Sequence, residues 1–260
     1  MLAVKIVLVP AFLLLVSVAG RIFGPTAAGW LSGLPVVTGP VLVLLAIENG
    51  PAFGADASWA AVSAAFASMA FSLAYAHAAM RVGWPLALSA GLTAWLGAAI
   101  VLQHVPDAPL LSLAIGAASL GLSPRLFPRT ALSSAPRSIG NLEIALRMVA
   151  GAAITLASTA LAAVAGSRWS GVLAVFPVLG TILAVFTHRS GGHALTALLL
   201  RAMATGMFSF LAFCATFAAT LPHLNLSLAL AAALSACLCT QAATGRLLAS
   251  RHARSARHPA

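Results

Sequence analysis

Charged residues are scarce in this sequence, and acidic ones are the scarcest. Only 7% of the 260 residues are charged, and four of these are acidic: Glu48, Asp56, Asp107 and Glu143. A soluble domain carries roughly 25% charged residues. Because 61% of the chain is hydrophobic, too few polar side chains remain to cover a water-facing surface. The composition therefore predicts a polytopic membrane protein, and so few carboxylates leave little acid–base chemistry for an enzyme.

Cysteine is rarer still, and the three cysteines, Cys214, Cys237 and Cys239, all lie in apolar segments. Cys237 and Cys239 are two positions apart, so on a helix their side chains point to different sides. This spacing indicates small packing residues rather than a disulfide or a metal site. The sequence also lacks a phosphate-binding motif and a zinc-binding helix motif. We therefore expect neither a metal nor another cofactor.

Basic residues outnumber acidic ones and give the chain a net charge of +10. No stretch interleaves these residues with aromatics, so the charge does not predict a nucleic-acid partner. The arginines lie mainly in loops and in the C-terminal tail, as expected where positive charge stays on the cytoplasmic side of a membrane. The expected partner is the lipid bilayer, and the basic cytoplasmic tail, residues 247–260, suits anionic headgroups.

Long apolar runs dominate what the sequence does contain. Hydropathy predicts membrane spans at residues 2–20, 27–47, 57–79, 84–103, 109–122, 143–165, 169–187, 194–218 and 224–245. The fifth run is shorter than the roughly 20 residues that a helix needs to cross the hydrocarbon. If it spans, nearly all loop arginines lie on one side, whereas without it they are split between both sides. The positive-inside bias therefore favours nine spans, an outside N-terminus and a cytoplasmic C-terminus.

Landmarks of the first half of the chain recur in the second half. The matches are Trp30 with Trp169, Pro35-Val36 with Pro177-Val178, Gly39 with Gly180, Gly50 with Gly191, and Phe71-Ser72 with Phe208-Ser209. Such residues recur by chance less easily than alanine or leucine, so the matches indicate a duplication. With one extra span between four-span halves, the second half enters the membrane from the opposite side. We therefore predict an all-α bundle of two inverted four-helix repeats, 1–105 and 142–246, joined by a linking helix and a cytoplasmic loop at 106–141.

Each half contains an apolar run that proline and glycine interrupt, at residues 33–40 and 175–181. Proline removes a backbone donor and clashes with the preceding turn, so neither run forms an unbroken helix. The freed backbone groups must be buried in protein or line a wet cavity. Paired interrupted helices in the two halves of a membrane protein point to a transport site. We therefore predict a substrate site at mid-membrane, formed by Pro35, Thr38, Gly39, Pro40, Phe176, Pro177, Gly180 and Thr181.

Other polar residues are candidate members of this site. Arg201 lies about two turns into its span, where a charge should face the interior with a partner, or alternatively snorkel to the cytoplasmic surface. Ser209 shares the helical face of Arg201. Ser72 lies on a matching face of small residues, which would serve close helix packing equally well. Glu48 ends the first broken span and is either a gating or coupling residue or an ordinary interfacial charge.

Glu143 and Arg147 are four positions apart at the start of a span, a spacing typical of an ion pair on a helix surface. We expect this pair to lie near the membrane interface. Lys5 is the expected counterpart of Arg147 in the first half.

The second half carries the run Gly-Val-Leu-Ala-Val-Phe-Pro at 171–177, followed by Gly191, by Leu200-Arg201 and by Gly206-Met207. These residues resemble the GlpM-like family of small bacterial membrane proteins, which carry a Phe-Pro break in one span and an arginine early in the next. The resemblance covers the central two spans of each half. The first half departs from it, because no basic residue takes the place of Arg201. The resemblance implies a fused duplication in the bacterial inner membrane and a link to exopolysaccharide production.

These observations predict a transporter or channel that passes a small polar or anionic solute between the two broken helices. The alternative is a non-conducting accessory membrane protein that supports the assembly of envelope polysaccharide or lipid. A homodimer is compatible with either function.

Overall fold

The computed structural model describes residues 2–106, 108–128, 130, 139–164 and 176–257. These residues form helices joined by short turns, and no strand occurs among them. We number the helices in chain order as α1 Leu2–Phe23, α2 Pro25–Ser32, α3 Thr38–Asn49, α4 Pro51–Ala79, α5 Trp84–Leu102, α6 Pro109–Leu126, α7 Asn141–Val164, α8 Val178–Thr220 and α9 Leu226–Arg257.

Six of the described helices are long and apolar enough to cross a membrane: α4, α5, α6, α8 and the larger parts of α7 and α9. The chain is therefore an all-helical multi-pass membrane protein. The fifth predicted span, 109–122, lies in α6, whose 18 residues reach the required length. Two shorter apolar helices lie within α1 and at α3. The beginning of the seventh predicted span, 169–187, lies outside the described residues.

The first predicted interruption is present but shorter than the sequence suggested. Helix α2 ends at Ser32 and α3 begins at Thr38, so the break covers residues 33–37. Pro40 lies in the first turn of α3, where a helix does not need the missing backbone donor. At the second predicted interruption, α8 begins at Val178 after Phe176 and Pro177, and Gly180 and Thr181 belong to its first turn. Residues 165–175, on the other side of this predicted break, lie outside the described residues.

Two glycines redirect the chain after these breaks. Gly50, with φ 94° and ψ 165°, lies between α3 and α4. Gly192, with φ 75° and ψ −178°, lies inside α8 and divides it into residues 178–191 and 193–220. This backbone region is open essentially to glycine alone, since a β-carbon clashes there. A third described glycine, Gly24 between α1 and α2, has the same conformation, with φ 87° and ψ 173°.

Helices α4 and α8 form the centre of the bundle and pack against each other. Helices α5 and α6 cover α4, helices α2 and α9 cover α8, and α1 packs on α7. The largest buried side chains of the centre are aromatic, with Phe71 and Tyr75 on α4 and Phe213 and Phe217 on α8. The interrupted segments are thus held against the two most buried helices of the molecule.

Helix α2 approaches α8 backbone to backbone. A β-carbon at Gly33 would lie 2.2 Å from the carbonyl carbon of Gly206, and one at Gly206 would lie 2.0 Å from the Trp30 oxygen. Helix α9 is hydrogen-bonded to the same part of α2. The Gln241 amide donates to the Trp30 oxygen at 3.3 Å, and Trp30 Nε1 donates to the Thr244 hydroxyl at 3.1 Å. These contacts fix the part of the chain that leads into the first break.

Candidate functional site

A cavity of about 230 Å³ lies between the two interruptions. Its wall includes residues 32–34, Val37 and Thr38 from the first break and residues 176–180 from the second. Small side chains of α4 and larger ones of α8 complete it, with contributions from α1 and α7. Segments that lie far apart in the sequence therefore meet around one space, which is smaller than the roughly 300–1,000 Å³ pockets that take drug-sized ligands.

The residues that line the cavity come in pairs of equal sequence separation. Gly50 and Gly192, which share one backbone conformation, are 142 positions apart. The same separation relates six pairs of lining residues: Leu34 with Phe176, Val37 with Leu179, Thr38 with Gly180, Ala61 with Met203, Ala65 with Met207, and Ser68 with Phe210. The two halves contribute equivalent positions but different sizes, since the alanines of α4 face the methionines of α8.

Four of the predicted substrate-site residues line this cavity, namely Thr38, Phe176, Pro177 and Gly180. Four others adjoin the breaks without lining it: Pro35, Gly39, Pro40 and Thr181. A β-carbon at Gly39 would meet the Phe213 ring at 3.3 Å, so this glycine permits close packing of α3. The Thr181 hydroxyl is buried and has no hydrogen-bond partner among the described residues.

The predicted serines and Glu48 lie elsewhere. The Ser72 hydroxyl donates to the Ser68 oxygen at 2.9 Å, within its own helix. The buried Ser209 hydroxyl donates to the Gly206 oxygen at 2.6 Å and contacts Gln241 of α9. Glu48 is exposed at the end of α3. In the structure these side chains serve helix packing or face outward, and none touches the cavity.

Arg201 is half-buried and does not line the cavity. Its Nη2 donates to the backbone oxygen of Pro124, near the end of α6, at 3.4 Å. Pro124 lies inside α6, and the Arg201 guanidinium reaches this helix across the bundle. Arg201 therefore has the protein partner that a charge inside a membrane span requires. This hydrogen bond links α8 to α6 and does not involve the cavity.

The helices that begin at the cavity have uncapped N-termini. Val37 precedes α3 and Pro177 precedes α8, and neither position provides a side-chain cap. The Gly39 amide donates to the Pro35 oxygen at 2.7 Å, the Val178 amide donates to the Phe176 oxygen at 2.8 Å, and the Thr181 amide donates to the Pro177 oxygen at 2.9 Å. No described residue accepts a hydrogen bond from the lining amides Val37, Thr38, Leu179 and Gly180.

Helix α2 ends at the first break, and three carbonyl oxygens near its C-terminus accept hydrogen bonds. The Gly29 oxygen accepts from the Ser32 hydroxyl at 2.6 Å, and the Leu31 oxygen accepts from the Leu34 amide at 3.0 Å. The Trp30 oxygen accepts from the Gly33 amide and from the Gln241 side chain. Backbone amides and backbone carbonyls without a partner among the described residues therefore both border the cavity, since no donor reaches the oxygens of Ser32, Gly33 and Leu34 either.

Helix α7 supplies lining residues that the sequence did not single out. Thr155 is 3% exposed, and its hydroxyl has no partner among the described residues, whereas the Ser158 hydroxyl donates to the Thr155 oxygen at 3.1 Å. Phe176 packs edge-on against Trp95 of α5, with ring centroids 5.2 Å apart. Helix α7 has no proline or glycine break to draw attention to it, so only its packing on α1 and α8 brings Thr155 to the cavity.

The expectation for Glu143 and Arg147 was wrong in one respect. Their side chains do pair, at 2.6 Å, but Arg147 is 1% exposed and belongs to the core instead of the helix surface. Its guanidinium carbon lies 5.7 Å from the centroid of the Phe186 ring, and its Nε has no partner among the described residues. The spacing of two residues on one helix could not show that α8 covers them.

The end of segment 178–191 is tied to three helices around it. Ser190 donates to Glu143 of α7 at 3.4 Å, and Tyr75 of α4 lies 3.4 Å from His188 Nδ1. The Arg189 guanidinium carbon lies 5.6 Å from the centroid of the Trp84 ring on α5. The segment that starts at the cavity is thus anchored at its far end by polar and cation–π contacts.

The fold and this site define a class: a multi-pass helical membrane protein in which the break before α3 and the start of α8 border one cavity. No family model, curated protein or solved structure matches the chain.

Proposed function

We propose that the protein is a membrane transporter or channel that passes a small polar or anionic solute through the cavity between the two breaks. The observation that carries the proposal is the convergence of both interruptions, from different halves of the chain, on one cavity of about 230 Å³. Interrupted helices are tolerated at membrane depth where they line such a space, and transporters place their substrates there.

A nine-span arrangement of two inverted four-helix repeats belongs to this proposal. The constant separation of 142 positions supports it, because it relates the glycine turns, the breaks and the lining faces of α4 and α8. It also pairs Lys5 with Arg147, as the sequence suggested. In this register Phe71 pairs with the buried Phe213, whereas the sequence match pairs Phe71 with Phe208. Each repeat would contribute one broken helix to a site on the pseudo-two-fold axis.

The orientation and location are further parts of the proposal. The arginine distribution supports an outside N-terminus and a cytoplasmic C-terminus. The residues that resemble the GlpM-like family support a bacterial inner membrane, where a duplicated chain would supply both halves of the site.

The proposal is tested by blocking the cavity. Ala64 lines it and is 8% exposed, whereas Ala60 lies on the exposed side of the same helix. In proteoliposomes assayed against a panel of small anions and cations, we expect Ala64→Phe to lower the flux of the transported solute at least about tenfold, because the ring fills the path. Ala60→Phe should transport as the wild type does.

Both variants must keep the melting temperature and the elution volume of the wild type for this comparison. Flux through Ala64→Phe that equals the flux through Ala60→Phe would exclude the cavity as the path. If the wild type moves no solute of the panel, the non-conducting accessory role in envelope assembly becomes the better explanation.

A further inference from the structure

Several helices begin or end at one end of the bundle. Arg21, near the end of α1, donates to Asn141 at the start of α7 at 2.7 Å. Ser190 of α8 donates to Glu143 of α7, and Arg189 lies over the ring of a tryptophan at the start of α5. These contacts bring the end of α1, the beginnings of α5 and α7 and part of α8 together at one end of the molecule.

The exposed charges at this end are positive. Arg21, Arg189 and Arg81, which lies in the turn that leads into α5, are all exposed. The carboxylate of Glu143 is already paired with the buried Arg147 at 2.6 Å. Neither Arg81 nor Arg189 has a carboxylate partner among the described residues. An anion from outside the chain would therefore supply the countercharge that this end of the bundle lacks.

Arg189 is ordered without using its hydrogen-bond donors. Its guanidinium carbon lies 5.6 Å from the centroid of the Trp84 ring, a cation–π contact that needs no N–H acceptor. The guanidinium has five N–H donors in a planar fork, and no residue in the described part of the chain accepts from them. Such a fork matches the geometry of a phosphate group, which it can bind through two parallel hydrogen bonds.

The surroundings of this arginine belong to the membrane interface. Trp84 begins α5, which is apolar and long enough to cross a membrane, and the ring is 37% exposed. Leu86, two positions further into the same helix, is 63% exposed. Tryptophan at the end of a membrane span lies at the depth of the lipid headgroups. The free donors of Arg189 are therefore at the depth of the lipid phosphates, and Arg81 lies three positions before Trp84.

We propose that the basic rim, which consists of Arg81, Trp84 and Arg189, binds the headgroup of an anionic phospholipid. The phosphate lies at the two guanidiniums, and the acyl chains follow the exposed side of α5 at Leu86. Two arginines without a carboxylate partner favour a headgroup of net negative charge over a zwitterionic one, which carries its own cation. An acidic protein or a nucleic acid would meet the same charges without using the apolar surface beside them.

The bound lipid joins two parts of the fold. Arg81 and Trp84 belong to the α4–α5 connection, whereas Arg189 lies near the end of segment 178–191, which begins at the cavity. The same end of this segment already contacts Tyr75 of α4 through His188 at 3.4 Å. A phosphate between the two arginines adds a further link, so it stabilises the folded state. This site is separate from the cavity and does not depend on the transport proposal.

The test measures the melting temperature of the purified full-length protein in a neutral detergent. Dioleoylphosphatidylglycerol and dioleoylphosphatidylcholine are added at equal mole fractions, because a ligand that binds only the folded state raises the melting temperature. We expect the anionic lipid to raise it by about 5 °C near saturation and the zwitterionic lipid to raise it far less. Inorganic phosphate and poly-glutamate are titrated in parallel, and neither should reproduce the shift.

Variants connect the shift to the basic rim. Arg189→Gln removes the charge and the planar fork, so it should reduce the shift caused by the anionic lipid to less than about half. Arg189→Lys keeps the charge and loses the fork, so it should give an intermediate value. Arg125→Gln is the matched control, because it removes one exposed arginine near the end of α6 and changes the net charge equally. This control should respond to the anionic lipid as the wild type does.

The results separate a specific lipid site from general attraction between charges. Equal shifts with the two lipids, or equal losses in Arg189→Gln and Arg125→Gln, would overturn the inference. A shift that inorganic phosphate reproduces would assign the rim to a free anion, and a larger shift with poly-glutamate would assign it to an acidic protein; both results exclude the lipid. A response to the anionic lipid that Arg189→Gln selectively weakens would support the site, whether or not the protein transports a solute.

Discussion

At the residue scale, burial separates charges that look equivalent in the sequence. Arg147 is enclosed by α7 and α8, with one carboxylate and one aromatic ring for partners. Arg201 is half-buried and reaches a backbone oxygen of α6. A buried arginine that loses its partner becomes an uncompensated charge, whereas a half-buried one is partly solvated. Stability should therefore depend far more on the Arg147 pair than on the other charges of the chain.

This difference is measurable with Glu143→Gln. We expect the substitution to lower the free energy of unfolding by about 3 kcal/mol, because Arg147 keeps its charge without its partner. Glu48→Gln makes the same chemical change at an exposed residue and should alter stability by less than about 0.5 kcal/mol. Unfolding would be followed by chemical denaturation in detergent.

The double variant Glu143→Gln with Arg147→Met checks the explanation. Removing the charge as well as its partner should recover part of the loss, since an apolar side chain needs no countercharge. If Glu143→Gln is no less stable than Glu48→Gln, the buried pair does not contribute in this way.

At the scale of the elements, glycine determines how closely the helices approach. The contact between α2 and α8 leaves no room for a side chain at Gly206, where a β-carbon would lie 2.0 Å from the Trp30 oxygen. Gly97 on α5 has no neighbour within 4 Å of the same position. Both are helical glycines, so they differ in their surroundings rather than in local backbone preference.

Alanine at these two positions should therefore have opposite effects. Gly206→Ala forces α2 away from α8, and we expect a loss of about 2 kcal/mol or more, as for other overpacked sites. Gly97→Ala should stabilise α5 by up to about 1 kcal/mol, because alanine is the better helix former. Melting temperatures of the two variants in the same detergent give the comparison. A neutral Gly206→Ala would mean that α2 does not pack on α8 at this distance.

At the scale of the whole molecule, the number of spans between the two halves determines their relative orientation in the membrane. If α6 crosses the membrane, the two broken helices enter from opposite sides and their N-termini meet at mid-depth. If it does not cross, the halves are parallel and the loop arginines are divided between the two sides. The topology of α6 is therefore the central test of the nine-span arrangement.

Cysteine labelling can determine this topology. Cysteines introduced at Asp56, near the start of α4, and at Arg125, near the end of α6, report on the two ends of the stretch α4–α6. The exposed Cys239 is replaced by serine in this background. We expect a membrane-impermeant reagent to label Asp56→Cys from outside the cell and Arg125→Cys only after the membrane is opened. Labelling of both from the same side would contradict nine spans and the inverted repeat.

Much of this molecule was predictable from its sequence. The shortage of charge and the long apolar runs predicted a helical membrane protein, and the described helices lie close to the predicted spans, from Leu2–Phe23 to Leu226–Arg257. Proline and glycine also located the break at residues 33–37 and the start of α8 at Val178 to within a few residues. These features follow from composition and local backbone chemistry, which act on each segment before it meets another.

The tertiary structure decided what surrounds the breaks. Thr155 reaches the cavity because α7 packs against α8, and Arg201 misses it because its side chain extends toward α6. The shared backbone conformation of Gly50 and Gly192 is likewise visible only in the structure. Sequence patterns show which residues share one face of a helix. Which neighbouring helix covers that face depends on how distant segments pack. The same packing determines the burial of Arg147 and the residues that form the cavity wall.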